Sequence, residues 1–141
     1  MKAKYYLDIA TGDYDYLIGK DYDTIEECIN LAKGFRAIIG QLNKFINDNG
    51  INDDEWSGND IRAIKIKCTF YAEDNDDFEI STIATIRDDY SLEYGKKEII
   101  VEYKDEDDIN GIIKFKTKEE MEQWLELNKE KHTLVEWKET Y

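Results

Sequence analysis

The chain has 141 residues, with 19 Lys and Arg against 33 Asp and Glu, a formal net charge of -14 and 37% charged side chains. That length suits one core of ordinary size and is short for two full domains, so a single α+β domain spanning residues 1–141 is expected. So acidic a chain excludes DNA, RNA or an anionic membrane as a direct partner, because each selects a basic face, while 41% apolar and 13% aromatic residues exclude a disordered acidic tail.

No apolar run is long enough to span a bilayer and no charged-then-apolar leader opens the chain, so a cytoplasmic protein is expected. Proline is absent, Arg occurs only at Arg36, Arg62 and Arg87, and Ile, Lys, Asn, Asp and Tyr are abundant. That bias follows from AT-rich codon usage and points to an AT-rich bacterium or to one of its phages or plasmids. Cys28 and Cys68 both fall within apolar patterns with no CxxC or Cys/His pairing, which predicts two reduced, buried thiols.

Residues 2–9 alternate, with Tyr5, Leu7 and Ile9 on one side and Lys4, Tyr6 and Asp8 on the other, and predict a strand. A Thr-Gly-Asp turn follows, and residues 14–20 alternate again, so the two runs form a β-hairpin. Thr24 and Glu27 have the spacing of a capping box. The apolar stripe Ile25, Cys28, Ile29, Ala32, Phe35, Ile39, Leu42 and Ile46 then predicts a helix of about 36 Å, stopped at Asn49-Gly50. Residues 52–59 read as a loop around Trp56.

Four strand-like runs follow, at 61–71, 78–87, 98–104 and 111–116, separated by acidic turns at 73–77, 88–95 and 105–111. In the first of these runs Ile64, Ile66, Cys68 and Phe70 share a side, and in the second Phe78, Ile80, Thr82, Ala84 and Ile86 do so. Thr117 and Glu120 repeat the capping box. Met121, Trp124, Leu125 and Asn128 form the inner face of a short helix, with Lys129 and Lys131 expected in its last turn. Residues 133–138 return as a final strand. The expected order is β-β-α-β-β-β-β-α-β, one twisted, mostly antiparallel sheet with the long helix across one face.

Carboxylates crowd the turns. Asp13 and Asp15, the run Asp53-Asp54-Glu55, the pairs Glu73-Asp74 and Asp76-Asp77, and Asp105-Glu106-Asp107-Asp108 all lie in or beside predicted turns. Asp is a good turn residue, and acidic surfaces keep small proteins in solution. The sharper reading is a protein-binding surface that competes with a polyanion: 14 net charges equal those on about 24 Å of duplex DNA at one per ~1.7 Å. Acids at i and i+2 of an extended segment, as at Asp13/Asp15, Asp21/Asp23 and Asp74/Asp76, are about 6.6 Å apart. Such a row suits a Lys/Arg cleft that normally holds phosphates. Trp56, beside its three acids, is the candidate aromatic anchor.

Other chemistries have weaker patterns. Glu106, Asp108, Asn110 and Gly111 mimic positions 1, 3, 5 and 6 of an EF-hand loop, but Thr117 stands where a bidentate Glu is required, and no metal site is expected. Asp89 with Glu102-Tyr103-Lys104 has the outline of the D…ExK arrangement of Mg-dependent nucleases, although a cross-strand ion pair of Glu102 and Lys104 accounts for the same residues. His132 has no companion for a triad, and no phosphate-binding loop or nucleophile elbow is present.

The expected function is therefore that of a non-enzymatic acidic inhibitor. It would act without a cofactor, as monomer or homodimer, on a protein with a basic nucleic-acid-binding cleft, in the manner of an anti-CRISPR, anti-restriction or nuclease-toxin immunity protein. The alternatives are a Mg-dependent enzyme centred on Asp89, Glu102 and Lys104, and a small-ligand or nucleotide sensor, for which only Lys65, Lys67, Arg36, Arg62 and Arg87 stand out as scattered cations.

Overall fold

A computed structural model of the chain describes residues 1–10, 15–49, 63–87 and 91–140. In chain order the elements are β1 (Lys2–Ala10), β2 (Asp15–Tyr22), α1 (Ile25–Asp48), β3 (Ala63–Tyr71), β4 (Phe78–Ile86), β5 (Leu92–Tyr94), β6 (Ile99–Lys104), β7 (Asn110–Phe115), α2 (Lys118–Leu127) and β8 (Thr133–Glu139). The fold is α+β and mostly sheet. The short β5 lies within what the sequence presents as a turn.

The expected single sheet is two sheets, one of order β2-β1-β3-β4-β5 and one of order β7-β6-β8. β6 hydrogen-bonds to β7 along one edge and to β8 along the other, antiparallel in both cases. Both of its edges are thereby occupied, and the three strands form a separate sheet.

The chain divides into two compact units: Met1–Lys4, Cys68–Ile83 and Tyr94–Tyr141 form the first, Tyr5–Lys67 and Ala84–Glu93 the second. In the second, the hairpin of β1 and β2 sets Asp8 opposite Leu17 and Ile9 opposite Tyr16. The capping box at the start of α1 is formed: the Thr24 hydroxyl accepts the Glu27 N–H at 3.4 Å and the Glu27 carboxylate accepts the Thr24 N–H at 3.2 Å. Ile25, Cys28 and Ala32 carry the buried face of α1, and Leu7, Ile9, Ile64, Ile66, Ala84 and Ile86 are buried in the same unit. The side chains of Ile39, Leu42 and Ile46 lie outside the described residues. Cys28 and Cys68 are buried, reduced thiols, and burial, with the charge of Glu27 beside it, pushes the Cys28 thiol up to about 11. Asp8, also buried, is held by Lys67 at 2.7 Å.

In the first unit α2 begins at Thr117, whose hydroxyl accepts the Glu120 N–H, and ends at Asn128, whose N–H returns to the Trp124 carbonyl. Lys129 and Lys131 therefore stand beyond its last turn. Met121 packs on Ile99 and Val101, flanked by Ile113, Phe115 and Leu125. Beside this core Tyr103, Trp124 and His132 form an aromatic group: His132 stacks on Tyr103 at 4.8 Å and meets Trp124 edge-on at 5.2 Å.

β4 departs from simple alternation. Ser81 and Ile83 are buried while Phe78, Ile80 and Thr82 are exposed, and then Ala84 and Ile86 are buried. The covered face changes at Ile83–Ala84, where the strand passes from the first unit into the second. Among the described residues no helix is long and apolar enough to cross a membrane.

Candidate functional site

Two acidic turns of the first unit are built by local hydrogen bonds. Between β3 and β4, the Ala72 N–H donates to the Asp77 carbonyl at 3.0 Å, the Asn75 side chain accepts the Asp76 N–H at 2.8 Å, and Asp74 has φ 55°. Between β6 and β7, the Asp105 N–H donates to the Ile109 carbonyl at 3.0 Å and the Asp108 N–H to the Asp105 carbonyl at 3.1 Å. The Asp105 carboxylate accepts the N–H groups of Asp107 and Ile109 at 2.9 and 3.0 Å, and Asp108 has φ 62°. Short polar side chains tolerate this left-handed backbone better than larger ones do. Three of these acids, Asp74, Asp105 and Asp108, thus have a conformational reason to be acidic or short.

The two turns lie side by side. The Asn75 amide donates to the Asn110 carbonyl at 2.6 Å, and the Asp77 carboxylate accepts the Ile112 N–H at 2.8 Å. Beneath them Glu102 is fully buried. Its carboxylate accepts the Glu73 N–H at 2.7 Å and the Asn110 amide at 3.0 Å, and the Met1 ammonium lies 2.9 Å away. That ammonium also reaches Glu73 at 3.3 Å and Glu136 at 3.1 Å. Glu102 stands opposite Glu136 in the sheet, so the ammonium offsets two facing carboxylates.

Burial works against the charge of Glu102, yet the Glu73 N–H, the Asn110 amide and the ammonium outweigh it and hold the carboxyl below its ordinary value. Burial likewise opposes the ammonium, and the three carboxylates overcome it, raising the group to about 10. The Tyr103 hydroxyl is pushed up, first by burial and then by the charges of Asp77 and Asp105, one from each turn.

Glu73, Asp74, Asp76, Asp77, Glu106, Asp107 and Asp108 are exposed and Asp105 is half-buried. Asp77 and Asp105 are engaged with backbone N–H groups, Glu73 with the ammonium, and Asp108 with Lys104 at 3.4 Å. Among the described residues the side chains of Asp74, Asp76, Glu106 and Asp107 enter no ion pair. They are the unneutralised acids of these two turns.

Of the residues singled out by sequence, the structure brings these two turns together. Asp13, Asp53, Asp54, Glu55, Trp56 and Asp89 lie outside the described residues; Asp15 opens β2 opposite Ala10, its side chain likewise outside. Glu102 and Lys104 do not pair with each other: Glu102 turns inward to the ammonium and Lys104 outward to Asp108. The likeness to an EF-hand loop fails on two residues. Asn110 and Gly111 lie in β7, paired with Lys104 and Tyr103, and a Cβ on Gly111 would stand 2.6 Å from the Tyr103 ring, so that glycine serves cross-strand packing. Among the described residues no three His, Cys, Asp or Glu converge as a metal-ligand set.

The chain matches no protein-family model, no curated protein and no solved structure against which it was compared.

Proposed function

We propose that the protein is a non-enzymatic acidic binding protein that inhibits, by one-to-one association, an enzyme or complex with a basic nucleic-acid cleft. The observation that supports this reading is the cross-linking of the two turns through Asn75, Asp77 and Glu102. It presents Asp74, Asp76, Glu106 and Asp107 together on hydrogen-bonded backbone, so little ordering is left to do on binding. Such a patch steers a basic partner toward it and occupies ammonium and guanidinium groups that otherwise hold phosphates. A phage or plasmid inhibitor of a CRISPR or restriction nuclease, and an immunity protein for a nuclease toxin, both need such a surface and no catalytic residue.

The test is affinity for purified nucleases of these three kinds between about 50 and about 500 mM salt, with Asp74→Lys, Asp76→Lys and Asp107→Lys combined. These positions spare the carboxylates that bind backbone N–H groups. A nanomolar to micromolar complex that weakens steeply with salt and by at least about tenfold in the variant is expected. Binding to one of these nucleases that is indifferent to salt and to the three reversals would overturn the proposal.

A further inference from the structure

We propose that a cleft at the end of the β6–β7 ladder remote from the acidic turns binds a small multivalent phosphate. The cleft has a volume of about 600 Å³ and lies within the first unit, between the outward side of β4 at Ile80, the 95–98 link and the end of β7. Its size falls in the range of about 300–1,000 Å³ common for small-molecule sites. Four of its nine lining residues are lysines, Lys96, Lys97, Lys114 and Lys116, against one acid, Glu98. In a chain with 33 acids and 19 basic residues, this is a local inversion of charge.

The lysines have distinct roles. Lys114 is fixed, donating to the Ile80 carbonyl at 2.8 Å and standing 3.6 Å from Glu98, whose charge it answers. Lys97 reaches Glu139 at 3.8 Å, an exposed pair of the kind that releases its ammonium at little cost. Lys96 and Lys116 enter no ion pair among the described residues. The cleft thus offers three cations not cancelled by Glu98, two of them unpaired, on long flexible stems that act as point charges toward phosphate oxygens.

The acidic turns do not quench this field. Lys114 and Lys116 lie four and six residues beyond Asn110, about 14 to 20 Å along an extended strand, against a Debye length of about 8 Å at physiological salt. A monovalent anion gains too little from such solvated ammonium groups to compete with water. A pyrophosphate or triphosphate chain meets several at once.

Calorimetric titration of the full chain with tripolyphosphate, with magnesium-free ATP and with adenosine tests the proposal. Saturable one-to-one binding of tripolyphosphate or ATP is expected, weakened at least about tenfold by Lys96→Glu with Lys116→Glu. The pair Lys129→Glu with Lys131→Glu, on surface outside the cleft, should leave it unchanged. Equal affinity for tripolyphosphate and ATP identifies the phosphate chain as the whole ligand, and tighter ATP identifies a nucleotide that also uses the Ile80 wall. If the charge-reversed pair melts early, Lys96→Gln with Lys116→Gln takes its place. No saturable binding of either phosphate, or equal weakening by the Lys129/Lys131 pair, overturns the proposal.

Discussion

Glu102 aligns the two acidic turns from below, because one of its oxygens accepts from Glu73 at the base of one turn and from Asn110 at the base of the other. Glu102→Gln keeps the shape but loses the charge, and a fall in stability of about 1–3 kcal/mol at neutral pH is expected by denaturant unfolding. Its folded-state pKa lies below the ordinary carboxylate value near 4.5. The contribution is therefore complete above the unfolded value and drains away as pH falls through the folded one. Wild type and Glu102→Gln should converge in stability on acidification below about pH 4; a constant gap down to low pH would contradict this. At Asp74, with its positive φ, Asp74→Gly should be neutral or stabilising and Asp74→Val should cost about 1–2 kcal/mol. Equal melting temperatures for the two would refute the conformational account. In sequence, the alternation in 98–104 puts Glu102 and Lys104 together on an outward face. The second layer that covers Glu102 comes from residues 29 positions away at Glu73, beyond any local pattern.

At the scale of elements, the two helices begin where their capping boxes place them, since a cap involves residues three apart. Thr117→Ala should cost about 1 kcal/mol through the lost acceptor for the Glu120 N–H, measurable as a lower melting temperature. The β7 strand has a tighter constraint: Gly111 lies opposite Tyr103, and a Cβ there would meet the ring at 2.6 Å. Gly111→Ala should cost about 1–3 kcal/mol as the ring shifts toward Trp124, with near-ultraviolet dichroism reporting the altered aromatic packing. An unchanged spectrum and stability would mean that the ring is not held there. The glycine is visible in sequence, but its partner is not, because the register of β6 on β7 depends on which strands share an edge. The change of covered face along β4 was illegible for the same reason: its period of two survives on each side of Ile83–Ala84, and only packing shifts the phase.

For the whole molecule, charge is divided evenly between the units and unevenly within one of them. The first unit holds 11 Lys against 18 Asp and Glu, and the second 8 Lys and Arg against 15, a net charge of -7 each. Within the first, acids gather at one end of the β6–β7 ladder and lysines at the other, while α2 and the turn after it interleave the two, as in Lys118–Glu122 and Lys129–Glu126. Crowded like charges cost stability when unscreened. Replacing Asp74, Asp76, Glu106 and Asp107 by their amides should therefore raise stability by about 0.5–1 kcal/mol at low salt, and the gain should vanish near 1 M, where the Debye length is about 3 Å. A gain independent of salt would point to a cause other than repulsion. Sequence alone determined the α+β class, the order of all elements but β5, both helix starts and the acidic turns, because periodicity, capping and turn preference act over a few neighbouring residues. The tertiary structure decided the split into two sheets, the burial of Glu102, the meeting of the turns and the gathering of Lys96, Lys97, Lys114 and Lys116. Each of these depends on which strand edges pair and which faces become covered, a choice made between segments tens of residues apart in the chain.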